Sequence, residues 1–307
     1  MLLALAIALT GCAPLIPEDA EEVRVYATFY PIYALSDAVM AGAPNLSLHC
    51  LVQPQDGCLR SYRLSDWDLR LLSSARAVIM GGRGLESFES ALFGYGESGP
   101  AMAAALYNLE LYNASTSHDS DAEESHLNGV NPHLYLSVDG AKRMIESIAA
   151  SMLALDPGYA DLYAQNVEKA LERLDALWAE MQADVGDVDG TPVILMNEAL
   201  IYVARDYGLK VVDWIDREPG TAMYDDELDR CVARLQATDA KVILIEKQAP
   251  QGFVKALEAA GFAVARIDIL STHREGEGFE GYLEAQRDNA AALRAALSAS
   301  AGQEETD

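Results

Sequence analysis

Histidine is the side chain through which this sequence could most directly bind a metal ion, and the chain has five of them. His133 follows Pro132 in a short, turn-prone segment, where a neutral imidazole is a candidate nitrogen ligand. His118 and His126 lie instead in the acidic, serine-rich stretch 113–130, whose composition is typical of a surface loop. His133 and the two histidines of that stretch therefore stand in different sequence contexts.

Motifs that would mark a catalytic site are missing from the sequence. It contains no Gly-x-Ser-x-Gly elbow, no His-Glu-x-x-His pair, and no serine, histidine and aspartate in a recognisable catalytic context. The stretch Gly81-Gly82-Arg83-Gly84 lacks the spacing of a phosphate-binding loop and is interpreted as a strand-to-helix turn. A bound metal with open coordination positions could activate water, so an enzyme is the competing class. A binding protein is favoured, and no enzymatic activity is expected.

An apolar leader opens the chain. Residues Met1 to Leu9 lead into Leu9-Thr10-Gly11-Cys12, which resembles a bacterial lipobox with cleavage before Cys12 and lipidation of its thiol. Because nine apolar residues are too few to span a bilayer, residues 1–22 are interpreted as a signal peptide and tether. The basic residues that normally precede the apolar core are missing, which indicates a true start further upstream. The mature protein is expected outside the cytoplasm, lipid-anchored to a bacterial cell membrane.

Export favours a disulfide among the other cysteines, because thiols outside the cytoplasm are not kept reduced. Cys50 and Cys58 flank a short stretch with proline, aspartate and glycine, whose turn chemistry could bring the two sulfur atoms together. A Cys50–Cys58 bridge is predicted, with two free thiols as the alternative. Cys231, in a helical pattern, is interpreted as a buried small hydrophobic residue. His49 alternates with Cys50 along a predicted strand and is interpreted as structural.

The composition describes an acidic globular protein. Half of the 307 residues are hydrophobic, which is enough to build the cores of two lobes of ordinary domain size. The formal net charge is -26, so the chain would repel the phosphate backbone of a nucleic acid, and nucleic-acid partners are not expected. The acidity is interpreted as a solvated surface, with a field that attracts cations as the alternative.

Predicted strands and helices alternate in both halves of the chain, which indicates an α/β protein with doubly wound, mostly parallel sheets. Strands are predicted at 23–29, 46–52, 77–80, 193–196, 210–214, 241–246 and 263–267. Helices are predicted at 32–40, 66–72, 199–207, 225–235 and 251–260. Asp156-Pro157 begins a helical pattern that reaches about residue 185 and would be roughly 43 Å long. We therefore expect an N-terminal lobe at 23–155, a long rigid connecting helix at 156–186, a C-terminal lobe at 187–300 and a disordered tail at 301–307.

Four segments of the chain, taken in order, resemble a known family. They are Thr28-Phe29-Tyr30-Pro31, Asn131-Pro132-His133-Leu134-Tyr135-Leu136, the Asp156-Pro157 helix and the strand-turn-helix around Asn197. From about residue 23 to residue 297, this combination resembles the zinc- and manganese-type solute-binding lipoproteins of ABC transporters. The resemblance implies two α/β lobes joined by a rigid helix, with one divalent metal ion held in the cleft between them as the transported ligand. It also implies delivery of the ion to an ABC transporter permease in the membrane. A monomer is expected.

The resemblance further implies four ligand positions, of which two hold metal-binding side chains here. His133 matches the Pro-His position and Asp268 matches a late acidic position. Arg60 stands where a histidine is expected, and a guanidinium cannot bind a metal. Asn197 stands where a histidine or glutamate is expected, and its amide oxygen suits manganese, calcium or magnesium better than zinc. Glu198, one residue further on, is the alternative ligand.

Three interpretations of the cleft follow. In the first, zinc, manganese or iron binds through His133, Asp268 and either Glu198 or Asn197. In the second, Arg60 pairs with the cleft carboxylates, and the pocket takes an anionic or zwitterionic solute such as a chelated metal. In the third, ligand binding has been lost and the protein serves as a partner surface or an adhesin.

Two more side chains are candidates for the cleft. Glu246 ends a predicted buried strand at the edge where α/β sheets bind ligands, although a solvated strand-end glutamate is the alternative. His273 follows Asp268 closely and could reach the mouth of the cleft.

Overall fold

The computed structural model describes residues 22–52, 62–94, 99–112, 130–215, 225–271 and 276–304, and within them the chain forms two four-stranded parallel sheets. The strands are β1 (Val23–Ala27), β2 (Leu46–Cys50), β3 (Ala77–Met80), β4 (Ala101–Ala104), β5 (Pro192–Leu195), β6 (Lys210–Trp214), β7 (Val242–Glu246) and β8 (Ala263–Ile267). The helices are α1 (Tyr30–Met40), α2 (Asp66–Ser73), α3 (Glu89–Phe93), α4 (Val138–Leu155), α5 (Ala160–Val185), α6 (Ile201–Asp206), α7 (Asp225–Gln236), α8 (Gln251–Ala259) and α9 (Gly278–Glu304). None of these helices is both long and apolar enough to cross a membrane.

The two sheets share one topology. Their strand orders are β2-β1-β3-β4 and β6-β5-β7-β8, so the opening strand of each sheet lies second and is flanked by the next two strands along the chain. Because all pairings are parallel, the carboxyl ends of the four strands meet at one edge of each sheet. Ligands bind at this edge in open α/β sheets, so a binding site is expected among the residues that follow the strands.

The structure confirms the predicted strands and helices, with bounds that move by one or two residues in most cases. Ser65 caps α2 through a capping box with Asp68, as its position before the helix predicts. The strand β4 and the helices α3, α4 and α9 have no counterpart in the sequence prediction. Gly81-Gly82-Arg83-Gly84 follows β3 directly and leads towards α3, as a strand-to-helix turn should.

The long helix between the two sheets is present as α5, preceded by a short 3-10 turn at Pro157–Tyr159. With 26 residues it is about 39 Å long. It packs against α1, α4 and α9 through buried residues that include Leu174, Leu177 and Met181. Its Trp178 ring lies 5.3 Å from the ring of Tyr207, which follows α6 of the second half. The helix therefore contacts both halves of the molecule.

The C-terminal helix α9 is a second bridge between the halves. It packs against β8 and β7 of the second sheet and also against α1 of the first half. At its first residue, the Gly278 carbonyl oxygen accepts a hydrogen bond of 2.9 Å from the Tyr30 hydroxyl. The helix continues to Glu304, so residues 301–304, which the sequence analysis assigns to a disordered tail, are helical.

Candidate functional site

His133 lies in the short connection that enters α4 and is buried, with 7% of its surface exposed. The Oδ1 atom of Asn131 accepts a hydrogen bond of 3.1 Å from the backbone N–H of His133 and lies 2.8 Å from its Nδ1. Because an amide oxygen can only accept, the proton of a neutral imidazole belongs on Nδ1, and Nε2 carries the lone pair. A histidine oriented in this way through one nitrogen is suited to bind a metal through the other.

Asn131 also ties His133 to the second half of the molecule. Its Nδ2 donates a hydrogen bond of 2.6 Å to the backbone oxygen of Glu198, and its own carbonyl oxygen accepts one of 2.7 Å from the Tyr202 hydroxyl. Glu198 lies three residues beyond β5, and Tyr202 is the second residue of α6. His133 is therefore positioned at the junction of the two halves, as a ligand between two lobes must be.

Asn197 follows β5 and begins the 3-10 turn Glu198–Leu200. It is buried, its Oδ1 accepts a hydrogen bond of 3.2 Å from the backbone N–H of Ala199, and its Nδ2 donates to the Oε1 atom of Glu246. The amide oxygen proposed as a ligand thus caps the turn. Glu198 is half-buried, and its backbone oxygen is the atom that Asn131 contacts.

Glu246 is the last residue of β7 and is only 2% exposed, so it is not the solvated strand-end residue of the alternative interpretation. Its contact with Asn197 joins the carboxyl ends of β7 and β5, which are neighbours in the sheet. Glu246 therefore lies at the predicted edge, where it orients Asn197.

Asp268 follows β8 and is 2% exposed. Its Oδ1 accepts a hydrogen bond of 2.7 Å from the backbone N–H of Leu270, and its Oδ2 lies 2.9 Å from the ammonium Nζ of Lys247. Burial raises the pKa of Tyr30 in the first half, and the negative charges of Glu277 and Asp268 act in the same direction. A negative charge on Asp268 therefore acts against ionisation of Tyr30.

No group of three or more histidine, cysteine, aspartate or glutamate side chains is arranged to hold a metal ion within the ranges that the structure describes. His133, Asp268 and Glu198, the implied ligand set, do not form such a group there. Arg60 and His273 lie outside the described residues, as do Cys12, Cys58 and both histidines of the acidic segment. Cys50 is buried at the end of β2, and its bridge to Cys58 stays a prediction.

Lys247 was not among the sequence-based candidates, although the register of the two strands indicates its position beside Asp268. Glu246 pairs with Ile267 in the parallel β7–β8 ladder, so the next residues along the two strands are Lys247 and Asp268. Aligning the two strand ends would have placed this lysine beside the aspartate.

A second residue that the sequence analysis missed is Glu86, a carboxylate that is 2% exposed in the first half. It accepts hydrogen bonds from the Thr28 hydroxyl at 2.6 Å and from the backbone N–H groups of Gly81 and Gly82 at 2.7 and 2.9 Å. Burial raises its pKa, whereas these three hydrogen bonds act in the opposite direction. Glu86 therefore fixes the ends of β1 and β3 relative to each other.

The chain matches the family model described as zinc-uptake complex component A, periplasmic, over residues 25–296. A match over this much of the chain shows that the protein belongs to that family, the solute-binding proteins of metal-ion ABC transporters. The family consists of solute-binding proteins rather than enzymes, which confirms the prediction that this chain is not an enzyme.

Curated relatives are similar at a low level of identity. A putative metal-binding protein of Treponema pallidum is 25% identical over 195 residues, which are 62% of this chain and 61% of that protein. The zinc-binding protein AdcA of Streptococcus pyogenes is 23% identical over 292 residues, 89% of this chain and 56% of that protein. The chain therefore spans under two thirds of both relatives. The high-affinity zinc uptake system protein ZnuA of Bacillus subtilis is 23% identical over 299 residues, 90% of this chain and 88% of that protein.

Solved structures confirm the two-lobed α/β fold. The solute-binding protein FpvC of Pseudomonas aeruginosa in complex with Mn²⁺ superimposes with a TM-score of 0.75 at 21% identity, covering 91% of this chain and 99% of that one. Zn(II)-bound AdcA of Streptococcus pneumoniae gives a TM-score of 0.74 at 19% identity, covering 90% of this chain and 57% of that one. At these identities the likeness establishes the fold alone.

Proposed function

We propose that this protein is an extracytoplasmic receptor that captures one divalent metal ion in the cleft between its lobes and delivers it to an ABC permease. The observation that carries the proposal is the buried His133, which Asn131 orients through Nδ1 at the junction of the two lobes. A partner residue that fixes one ring nitrogen, and is itself bound to the other lobe, is the arrangement that metal-binding histidines usually have.

The ligands in this proposal combine one nitrogen with oxygens. His133 supplies Nε2, Asp268 supplies a carboxylate oxygen, and Asn197 or Glu198 supplies a further oxygen. These side chains do not form one metal-binding group in the part of the chain that the structure describes, and Leu270 already donates to Asp268 and Ala199 to Asn197. In this proposal, ion binding therefore requires the side chains to rearrange. A set of one imidazole and several oxygens suits manganese, iron or zinc.

The proposal extends to location and partners. Family membership supports a place outside the cytoplasm, and lipidation at Cys12 would hold the protein at the membrane beside its permease and ATPase. The relative from Streptococcus pneumoniae serotype 4 is named a zinc-binding lipoprotein, which supports a lipid anchor here. We further propose that the receptor acts as a monomer.

Elemental analysis and calorimetry test metal capture. Protein purified without added metal is analysed for bound elements, stripped with a chelator, and titrated with Zn²⁺ and Mn²⁺ in separate experiments. We expect saturable binding of one ion per chain. No binding of either ion to folded protein would contradict the proposal.

One observation favours a second candidate, an ion carried inside an anionic chelator. The Lys247 ammonium group is 55% exposed beside Asp268, so it can also pair with an anionic solute that reaches this carboxylate. Titration with Mn²⁺ citrate, free citrate and free Mn²⁺ separates the candidates. Tighter binding of the citrate complex than of the free ion would favour the chelated solute.

A further inference from the structure

The ion pair of Lys247 and Asp268 joins two groups of very different exposure. The Lys247 side chain is 55% exposed, whereas that of Asp268 is 3% exposed. The lysine therefore reaches from solvent to a carboxylate that the rest of the protein covers. An ammonium group on a flexible stem can leave such a contact and be hydrated again, while the buried carboxylate cannot follow it.

The position of this lysine is fixed by the sheet. Its backbone N–H donates a hydrogen bond of 2.8 Å to the Ile267 oxygen, which continues the β7–β8 ladder by one residue. The base of the side chain is thus anchored beside Asp268, and its charged end stays within reach of the carboxylate after it lets go.

We propose that Lys247 is a tethered counter-ion that competes with the metal for Asp268 and thereby lowers the affinity of the receptor. This inference rests on the proposed function, since it requires Asp268 to be a ligand. An incoming divalent ion must displace the ammonium group from Oδ2, and it then meets the repulsion of a positive charge that remains close by. The same group can return to the carboxylate when the ion leaves, so release to the permease becomes easier.

A purely structural role for Lys247 makes a different prediction. If the lysine only neutralises a buried charge, removing it destabilises the protein and leaves the stabilisation by metal unchanged. If the lysine competes with the ion, removing it lowers the melting temperature of the metal-free protein but enlarges the rise in melting temperature that metal produces. The rise is larger because an ion that binds only the folded state stabilises it more when it binds more tightly.

Three variants separate these roles. Lys247→Met removes the charge and keeps much of the apolar stem, and Lys247→Arg keeps the charge. Lys241→Met is the matched control, because Lys241 is exposed and immediately precedes β7, at the opposite end of the same strand. Each protein is stripped of metal, titrated calorimetrically with Zn²⁺ and Mn²⁺, and melted with and without the ion.

We expect Lys247→Met to bind at least one of the two ions about three- to tenfold more tightly than the unchanged protein, with a larger metal-induced rise in melting temperature. Lys247→Arg and Lys241→Met should change the affinity less than about twofold. Tighter binding in Lys247→Met than in an unchanged protein that itself binds the ion supports the inference. Equal affinities in Lys247→Met and the unchanged protein would overturn the inference and leave metal capture standing. Absence of binding in both would overturn both proposals.

Discussion

Asn289 of α9 holds the backbone of Asp268 on both sides. The Oδ1 atom of Asn289 accepts a hydrogen bond of 2.7 Å from the N–H of Asp268, and its Nδ2 donates one of 2.9 Å to the Asp268 carbonyl oxygen. Both residues are buried. Because α9 also contacts α1, the helix that fixes the proposed oxygen ligand is one of the two that bridge the lobes.

Replacing Asn289 should therefore affect both stability and binding. Asn289→Ala leaves the two backbone groups of Asp268 without these buried partners, which should lower the free energy of unfolding by about 1–3 kcal/mol. Metal affinity should also fall, since the carboxylate is no longer held in place. Urea unfolding and calorimetric titration measure the two effects. Asp288→Ala, at the exposed neighbouring position, is the control. Unchanged stability in Asn289→Ala would show that these hydrogen bonds contribute little.

Asn131 should contribute to metal binding without touching the ion. Asn131→Ala removes the acceptor that orients His133 and the hydrogen bond to Glu198. Loss of such an outer contact typically weakens metal binding, here by about tenfold. Calorimetric titration checks this, with Gln165→Ala on the exposed side of α5 as the control for loss of an amide. An Asn131→Ala protein that binds the ion as tightly as the unchanged chain would refute the orienting role.

Asp206 should make the stability depend on pH. Its carboxylate accepts hydrogen bonds from the Ser137 hydroxyl and the Val138 N–H at the start of α4, at 2.9 and 3.3 Å. Burial, reinforced by the charge of Asp139, raises its pKa from the ordinary 3.8 to about 6, against the opposing effect of these hydrogen bonds and of Arg143. The folded state therefore binds a proton more tightly than the unfolded state does.

The raised pKa of Asp206 makes the folded state less stable as the pH rises. The stabilisation from protonated Asp206 is fully present below about pH 4 and is lost as the pH rises through about 6. We expect the difference in unfolding free energy between the unchanged protein and Asp206→Asn to shift by about 2–3 kcal/mol between pH 4 and pH 7. Urea unfolding at several pH values measures it. A difference that is constant with pH would contradict the raised pKa.

The sequence predicts most of the fold because its strands are local apolar runs between turn signals. The exceptions have physical reasons. The strand β4, Ala101–Ala104, reads Ala-Met-Ala-Ala and lacks the β-branched and aromatic residues that mark a strand, so only its pairing with β3 defines it. The helix α9 is rich in alanine and has a weak apolar face, since it contacts both lobes along its length.

The sequence predicts less of the candidate metal site than of the fold. Family motifs pointed to His133 and Asp268 as candidate ligands. The residues that contact these two side chains can be found only from tertiary structure. Asn289 reaches Asp268 from 21 residues further along the chain, and the Lys247 contact depends on a strand register that local patterns do not fix. Residue types in the sequence identify the candidate ligands. Strand pairing and helix packing determine which groups each carboxylate contacts.

The central claim is that His133 is the nitrogen ligand of a divalent ion held between the lobes. Calorimetric titration of metal-stripped His133→Ala with Zn²⁺ and Mn²⁺ tests it most directly, beside a variant with alanine at both His118 and His126 as the control for loss of imidazole. The account predicts that His133→Ala weakens binding by roughly a hundredfold or more, while the double variant keeps the affinity of the unchanged protein. A dissociation constant that His133→Ala leaves unchanged would contradict the account.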